Sequence, residues 1–301
     1  MYDALIHIGY PKTATTWFQN EFYSNVLNRK FVDVGLFRSI ITDDIPFSFN
    51  QSNINVFESI GCAPLIICDE GIIGGNPFIA IESINRIHRS FPNCRIVLFI
   101  RNQLEMIVSK YSQYIYKNMG TASANTFLSK GPHWHRVHNF QKFHSEYLCY
   151  DRVIGHLEDL FGSDNVFVYL YEDFLANPAE FIGNYTFEHK LVIEKQVSFT
   201  HQNEGLRRGL YPIVRFMNIF TRYKRNDKYY LVHIPYWFQF CQRFYKRLNR
   251  FRIFGEKPKI EDLIGKEQLK TLYSLYQKSN ANLIRYFGRD KLVKYNYPIK
   301  E

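Results

Sequence analysis

The chain has 301 residues, 46% of them hydrophobic and 22% charged, with a formal net charge of +10. A chain of this length buries an ample core without disulfide or metal staples. It reads as one domain over 1–301, with an α/β core over 1–200 and a helical part over 205–301. No stretch approaches the roughly 18–20 apolar residues of a membrane span, which argues against a helical integral membrane protein.

In chain order, Ala4 to Gly9 is a short apolar run with β-branched Ile6 and Ile8, the pattern of a buried strand. Pro11, Lys12, Thr13, Ala14, Thr15 and Thr16 predict a tight loop, and Trp17 to Leu27 a helix. Strand, basic hydroxyl-rich loop and helix start together suit a phosphate. Free backbone N–H groups and the positive end of the helix dipole face the anion, Lys12 adds a full charge, and the threonine hydroxyls can donate. This is not a Walker A loop, which needs Gly immediately before Lys; here Lys12 follows Pro11.

The Pro-Lys-Thr-x-Thr-Thr-Trp order over Pro11–Trp17 instead resembles the 5′-phosphosulfate loop of the sulfotransferases, which use 3′-phosphoadenosine 5′-phosphosulfate (PAPS) as donor. One departure is Ala14, where that family usually has Gly. Positive φ strains Ala by about 1–2 kcal/mol; ordinary loop geometry is expected here instead. Residues 31–35 are a weaker strand candidate. Pro64 to Cys68 is a further apolar run that delivers Asp69-Glu70-Gly71 to a strand end. The resemblance implies a base on this strand end, His in cytosolic members and Glu in many carbohydrate sulfotransferases. Glu70 is the expected base. Asp69 is a second carboxylate, an orienting partner or simply a helix N-cap.

Cys94 to Ile100 predicts another buried strand, ending in Arg101-Asn102 with a helical run through Lys117. Arg101 stands where open α/β sheets bind ligands, and alone it reads as an ordinary strand-end cation. Ser109 lies eight residues on, about two helical turns. With Asn102 and Tyr111, these resemble the family's 3′-phosphate segment, although Gln103 replaces the usual Pro and Glu105 the common Asp. The resemblance implies that Arg101 and Ser109 hold the 3′-phosphate.

His133, Trp134, His135 and His138 lack a Cys or carboxylate partner at familiar metal spacing, so no metal is expected. They read as a solvated loop, with an acceptor contact or reserve base as the alternative. Asn165 to Leu170 predicts the last strand. Tyr171-Glu172-Asp173, with Asn177-Pro178, resembles the family segment whose Tyr lies against adenine; Trp17 matches the ring on its other side. Plain core packing is the competing reading of both aromatics.

Between Gly205 and Lys259 stand 14 Lys or Arg, 2 acids and 14 aromatic residues. Two amphipathic helices are expected there, broken near Asn226-Asp227 and Pro235. Such a surface suits an anionic glycan, a lipid-linked acceptor at an anionic membrane face, or nucleic acid. The first two fit the resemblance, and nucleic acid is not expected. Arg207-Arg208-Gly209 resembles the 3′-phosphate clamp of cytosolic relatives, without the Gly-Asp-Trp that follows it there. Ser279-Asn280-x-x-Leu283 and Tyr295-x-Tyr297-Pro298 resemble the closing helix and tail of bacterial sulfotransferases.

The cysteines Cys62, Cys68, Cys94, Cys149 and Cys241 form an odd set without a Cys-x-x-Cys pair, as in a reducing compartment. With a strand beginning within five residues of Met1, no signal peptide is expected. Eukaryotic carbohydrate sulfotransferases usually carry an N-terminal anchor, so the resemblance implies a bacterial, cytoplasmic protein, in peripheral contact with the inner membrane face at most. The expected fold is a three-layer P-loop-type parallel sheet flanked by helices, with a basic, aromatic-rich helical C-terminal part. The expected function is PAPS-dependent sulfuryl transfer to a hydroxyl, on a carbohydrate or glycan, releasing 3′-phosphoadenosine 5′-phosphate (PAP). One alternative is a P-loop-type kinase or ATPase, because Ile66 to Glu70 also resembles a Walker B strand. The other is a non-catalytic glycan or membrane-surface binding protein.

Overall fold

Five segments pair into one sheet: β1 (Ala4–Gly9), β2 (Lys30–Phe31), β3 (Leu65–Asp69), β4 (Arg95–Ile100) and β5 (Val166–Leu170). The order is β2-β3-β1-β4-β5, and every pair is parallel. The computed structural model describes residues 3–32, 34–41, 64–74, 80–128, 143–194, 199, 205–221 and 230–300. Every residue of β1 and β3 is buried, which is why both read as unbroken apolar runs rather than alternating ones.

Four of the expected strands lie where the apolar runs put them. The candidate at 31–35 contracts to the two residues of β2, and a helix begins at Val34 (Val34–Ile41). As an edge strand, β2 gains a ladder partner on one side only. Phe37 and Ile41, four apart, are both fully buried on the helix instead. The helix expected from Trp17 to Leu27 is also altered. It is a helical turn at Thr15–Trp17, a π-helical segment at Phe18–Phe22 and a 3₁₀ turn at Tyr23–Asn25. This winding sets Trp17, Phe18, Phe22 and Tyr23 against β1, β3 and β4 in one aromatic core.

The described residues cluster into two compact units that do not follow chain order. The first holds 1–101, 150–200 and 282–295, and therefore the whole sheet. The second holds 102–149, 201–281 and 296–301. In the first, the helices Ala80–Ser90 and Tyr150–Phe161 pack on each other, and the latter also on β4 and β5. In the second, the helices Gln103–Tyr116 and Leu210–Met217 pack together, as do Leu210–Met217 and Trp237–Leu248. Asn102 caps the first of these helices, accepting from the N–H groups of Leu104 and Glu105. Gln103 is paired with Asn280, whose amide also donates to the Pro298 carbonyl at 2.9 Å, so the expected closing segment is tied down by side-chain amides. Two amphipathic helices lie in the basic segment as expected; the break expected near Asn226-Asp227 lies outside the described residues. Cys68, Cys94, Cys149 and Cys241 are buried and form no disulfide.

Two histidines of the first unit are held neutral. Burial lowers the pKa of His7 to about 3, with His189 adding to the shift. Burial, then the charges of Arg95 and Arg29, lower that of His189 to about 3. In the unfolded chain both titrate near 6.5, so below that pH the unfolded state binds more protons. Stability is complete above about pH 6.5 and falls as pH drops toward 3, each histidine contributing a slope of up to about 1.4 kcal/mol per pH unit. Thermal melting between pH 6.5 and 5 should show this slope, and His189→Gln should flatten it. An equally steep slope in a His7→Gln/His189→Gln double variant would assign acid sensitivity to other groups.

Candidate anion-binding and active site

The parallel register brings the carboxyl ends of the central strands to one edge. Ile8 lies opposite Asp69, Gly9 opposite Phe99, and Ile100 opposite Leu170. Immediately beyond these ends come the loop from Tyr10, the pair Asp69-Glu70, Arg101 and Tyr171. All belong to the first unit. This edge of an open parallel sheet is where such folds place ligands.

The loop after β1 turns by entering the left-handed region twice without glycine: φ is 75° at Lys12 and 63° at Ala14. Ordinary loop geometry at Ala14, expected from the sequence, is therefore corrected. The turn is pinned by Thr13, whose buried hydroxyl donates to the Tyr10 carbonyl at 2.5 Å. The Ala14 carbonyl accepts the first helical bonds, from Trp17 at 2.8 Å and Phe18 at 3.0 Å. The N–H groups of Thr15 and Thr16 then have no carbonyl one turn earlier to receive them. The Thr15 hydroxyl is buried without a hydrogen-bond partner, an orphan that an anionic oxygen satisfies. Lys12 is half-buried beside it in sequence.

From β4, the Arg101 guanidinium reaches back to the Lys12 carbonyl at 3.4 Å and lies over the Tyr171 ring, 5.1 Å from its centre. The Arg101 carbonyl accepts from the Tyr150 hydroxyl at 2.6 Å, and Tyr150 packs edge-on against Tyr10. Arg101, Lys12 and Tyr171 are thus brought together. From β3, Asp69 is fully buried and accepts two bonds from Arg38, at 2.8 and 2.5 Å, and one from the Gly71 N–H at 2.7 Å. Glu70 is half-buried at the following turn. Gln19, on the segment after the loop, donates to the Cys68 carbonyl at 2.8 Å and ties the loop side to β3. Burial, with Asp69 and Glu70 nearby, raises the Cys68 pKa and keeps the thiol protonated.

The remaining expected site residues have the following surroundings. Trp17 is only 8% exposed, packed among Phe18, Phe22, Phe174 and Phe199, and stacked on Phe22 and Phe199. Ser109 is half-buried on the helix Gln103–Tyr116 of the second unit. Arg207 donates to the carbonyls of Asn249 at 2.8 Å and Gly255 at 2.7 Å, and Arg208 pairs with Asp262 at 2.6 Å. His133, Trp134, His135 and His138 lie outside the described residues. Among the described residues, no cluster of three or more His, Cys, Asp or Glu could hold a metal ion.

The first 186 residues, apart from Met1, match the family model described as the sulfotransferase domain. The chain belongs to the sulfotransferase family. No curated protein matches the sequence significantly. A crystal structure of a sulfotransferase from Alicyclobacillus acidocaldarius is similar in fold, with a TM-score of 0.50 at 14% identity, over 68% of this chain and 87% of that one. Mouse sulfotransferase SULT7A1, complexed with PAP, is matched with a TM-score of 0.45 at 12% identity, over 93% of this chain and 85% of that one. The chemistry of the family is sulfuryl transfer, and the loop with two left-handed residues at the end of a central parallel strand is the candidate anion site.

Arg38, Gln19 and Tyr150 carry no local sequence signal: each acts on a strand end more than 30 residues away. His7 was legible only as a lone polar residue in an apolar run. Its Nδ1 and the Tyr23 hydroxyl are 3.0 Å apart, and Tyr23 and Tyr185 are 2.7 Å apart. Its Nε2 has no partner. A Cβ added to Gly9 would stand 3.3 Å from that nitrogen and 3.4 Å from the Thr15 hydroxyl.

The left-handed Ala14 yields a stability test. Ala14→Gly relieves roughly 1–2 kcal/mol of strain and forfeits part of that to unfolded-state entropy. The expected outcome is a net gain of about 0.5–1 kcal/mol, read as a Tm rise of about 2 °C. A lower Tm would mean that the alanine methyl, packed against the aromatic core, outweighs the strain.

Proposed function

We propose that this sulfotransferase moves a sulfuryl group from PAPS to an acceptor hydroxyl, most naturally on a carbohydrate or glycan. The observation that carries the reading is the cradle itself. Lys12, the orphan Thr15 hydroxyl and the unsatisfied N–H groups of the helix start lie in one loop, and Arg101 reaches that loop from the neighbouring strand. A nucleotide with phosphates at both its 3′ and 5′ positions matches two cationic centres so placed. PAPS, when bound, supplies an activated sulfuryl group on a phosphate leaving group.

The residues divide the remaining work. Backbone N–H groups at Thr15 and Thr16, with the hydroxyls of Thr15 and Thr16, fix the 5′ end on a turn that the Thr13 hydroxyl pins to Tyr10. Lys12 meets negative charge at the leaving oxygen. Arg101, set over the Tyr171 face, serves the 3′-phosphate. Tyr171 and Trp17 serve the adenine, Trp17 through the aromatic cluster that includes Phe199. Glu70 accepts the acceptor's proton. Asp69 is unsuited to that role, because Arg38 and Gly71 already occupy its oxygens. An anionic or lipid-linked glycan is the acceptor class that a chain of net charge +10 attracts.

Calorimetry with PAP, 5′-AMP and ATP–Mg²⁺ tests the nucleotide assignment. PAP should bind in preference to the others, and Arg101→Ala should weaken PAP by about 1.5–3 kcal/mol while leaving 5′-AMP almost unchanged. Equal losses for both nucleotides would take the 3′-phosphate away from Arg101. A preference for ATP–Mg²⁺ would favour phosphoryl transfer. The base is tested with labelled PAPS offered to glycans and small alcohols. Glu70→Gln should lower kcat by ~10²–10⁴ with little change in donor affinity. Turnover that survives Glu70→Gln but is lost in His133→Ala or His135→Ala would move the base to the histidine segment.

A further inference from the structure

Within the second unit, seven consecutive residues, Tyr230 to Tyr236, are exposed, and five of them are large and apolar: Tyr230, Leu231, Val232, Ile234 and Tyr236. The backbone of this run is fixed. Leu231 N–H donates to the Ile219 carbonyl at 2.9 Å, and Ile234 N–H to the Phe220 carbonyl at 3.1 Å. The apolar side chains are therefore held outward on an anchored strap.

The strap leads into the helix Trp237–Leu248, which buries Cys241 and Tyr245 and contains no acidic residue. Rings join the two elements into a surface ladder. Phe216 contacts Phe220, Phe220 contacts Trp237, Trp237 stacks on Phe240, and Phe240 on Phe244, with centroids 5.3–6.2 Å apart. The Trp237 indole N–H is satisfied by the Met217 carbonyl at 2.8 Å, so the ladder is fixed at its middle. Phe216 and Phe240 remain 62% and 52% exposed. Helical spacing places Arg243 and Arg247 beside Phe240. Lys246, Arg250 and Arg252 are exposed as well, and Ile253 is 88% exposed between Arg252 and Phe254.

We infer that this surface docks on an anionic lipid bilayer. Aromatic rings in a row could stack on sugars, but Leu231, Val232, Ile234 and Ile253 are aliphatic and gain only from hydrocarbon. Basic side chains interleaved with them match anionic headgroups, with the apolar tips entering the acyl boundary and the long cationic chains staying in the headgroup layer. Tyr230 and Tyr236 have the amphipathic character that favours the interface, and the exposed Phe rings of the ladder add apolar area. Contact is peripheral: no described helix is long and apolar enough to cross a membrane. The inference does not depend on the donor nucleotide or on the base.

The test is co-sedimentation of the full chain with vesicles of phosphatidylcholine alone or of phosphatidylcholine with phosphatidylserine, across a salt series. Wild type should bind the anionic vesicles and be released by salt. Leu231→Ser/Ile253→Ser and Arg243→Glu/Arg247→Glu should each weaken binding by at least ~10-fold. PAP binding and melting temperature, measured on the same samples, should match wild type and so separate lost docking from lost folding. The salt series on wild type needs no variant. Failure to bind anionic vesicles at low salt, or binding undiminished in both variants, overturns the inference. So does vesicle-independent self-association that both variants abolish, which would assign the face to a second copy. Retention on a sulfated glycan column without any vesicle binding would overturn it in favour of glycan.

Discussion

The reversal of the chain between β1 and Thr15 constrains everything around it. A central parallel strand points its carboxyl end at the sheet edge, and the chain must turn there tightly enough to start a helix within five residues. It does so with positive φ at Lys12 and Ala14, a conformation that costs a non-glycine residue energy. Three things compensate: the Thr13 bond to Tyr10, the Ala14 carbonyl at the helix start, and the burial of Phe18 and Phe22 directly after it. A straight helix from Trp17 would not place both rings and Tyr23 on the sheet; the π-helical winding does. The anion cradle and the aromatic core are thus two ends of one packing solution.

Below that loop lies a polar column in an apolar setting. His7 stacks on Phe99, 4.9 Å away, and touches Phe18 and Tyr23 edge-on. Burial keeps it neutral, which leaves its proton on one ring nitrogen. Nδ1 is paired with Tyr23, and burial, with Tyr185 close by, raises the tyrosine pKa well above the ordinary value. Nε2 has only the space beside Gly9 and Thr15. A buried polar group is costly unless bonded. That cost makes the Gly9 gap, where a side chain would press on both orphan atoms, a site with polar demand on two sides.

Strands β1, β3 and β4 were legible because they are buried on both faces, so each apolar run of five or six residues declares itself, and β5, half-buried in its middle, was legible from its unbroken β-branched and aromatic run. Edge strand β2 was not, since one-sided pairing leaves a weak pattern and Val34 to Ile41 buries its apolar residues better as a helix. The loop after β1 was legible as a tight turn but not in its backbone conformation. Alanine at 14 carries no outward sign of positive φ. The lock on Asp69 by Arg38 joins residues 31 apart, across a fold that only packing decides. Gln103 read as a departure, yet its amide is matched to Asn280 at 177 residues' distance. Trp17 shows the limit of motif reasoning: the motif gives a large ring at that position, while contacts decide how much of it faces a ligand.

The segment from 205 to 259 illustrates why a count of aromatics cannot separate core from surface. Tyr211 and Tyr245 are buried, whereas Phe240 and Tyr236 are exposed, although Tyr236, Phe240 and Tyr245 follow one another at near-helical steps. The difference lies in which backbone groups the strap from Tyr230 to Tyr236 must satisfy. Its N–H groups reach the carbonyls at Ile219 and Phe220, and this pairing leaves its side chains no interior to enter. The charges there behave differently from those at the loop after β1. Exposed arginines act through solvent and lose most of their reach over a Debye length of about 8 Å at physiological salt. At the loop after β1 the cation Lys12 is half-buried beside backbone N–H groups and a buried hydroxyl, a setting that salt screens far less. The two places thus differ in reach: groups at the sheet edge act at short range in fixed geometry, whereas the exposed cations of the basic aromatic face act diffusely and are the more strongly tuned by ionic strength.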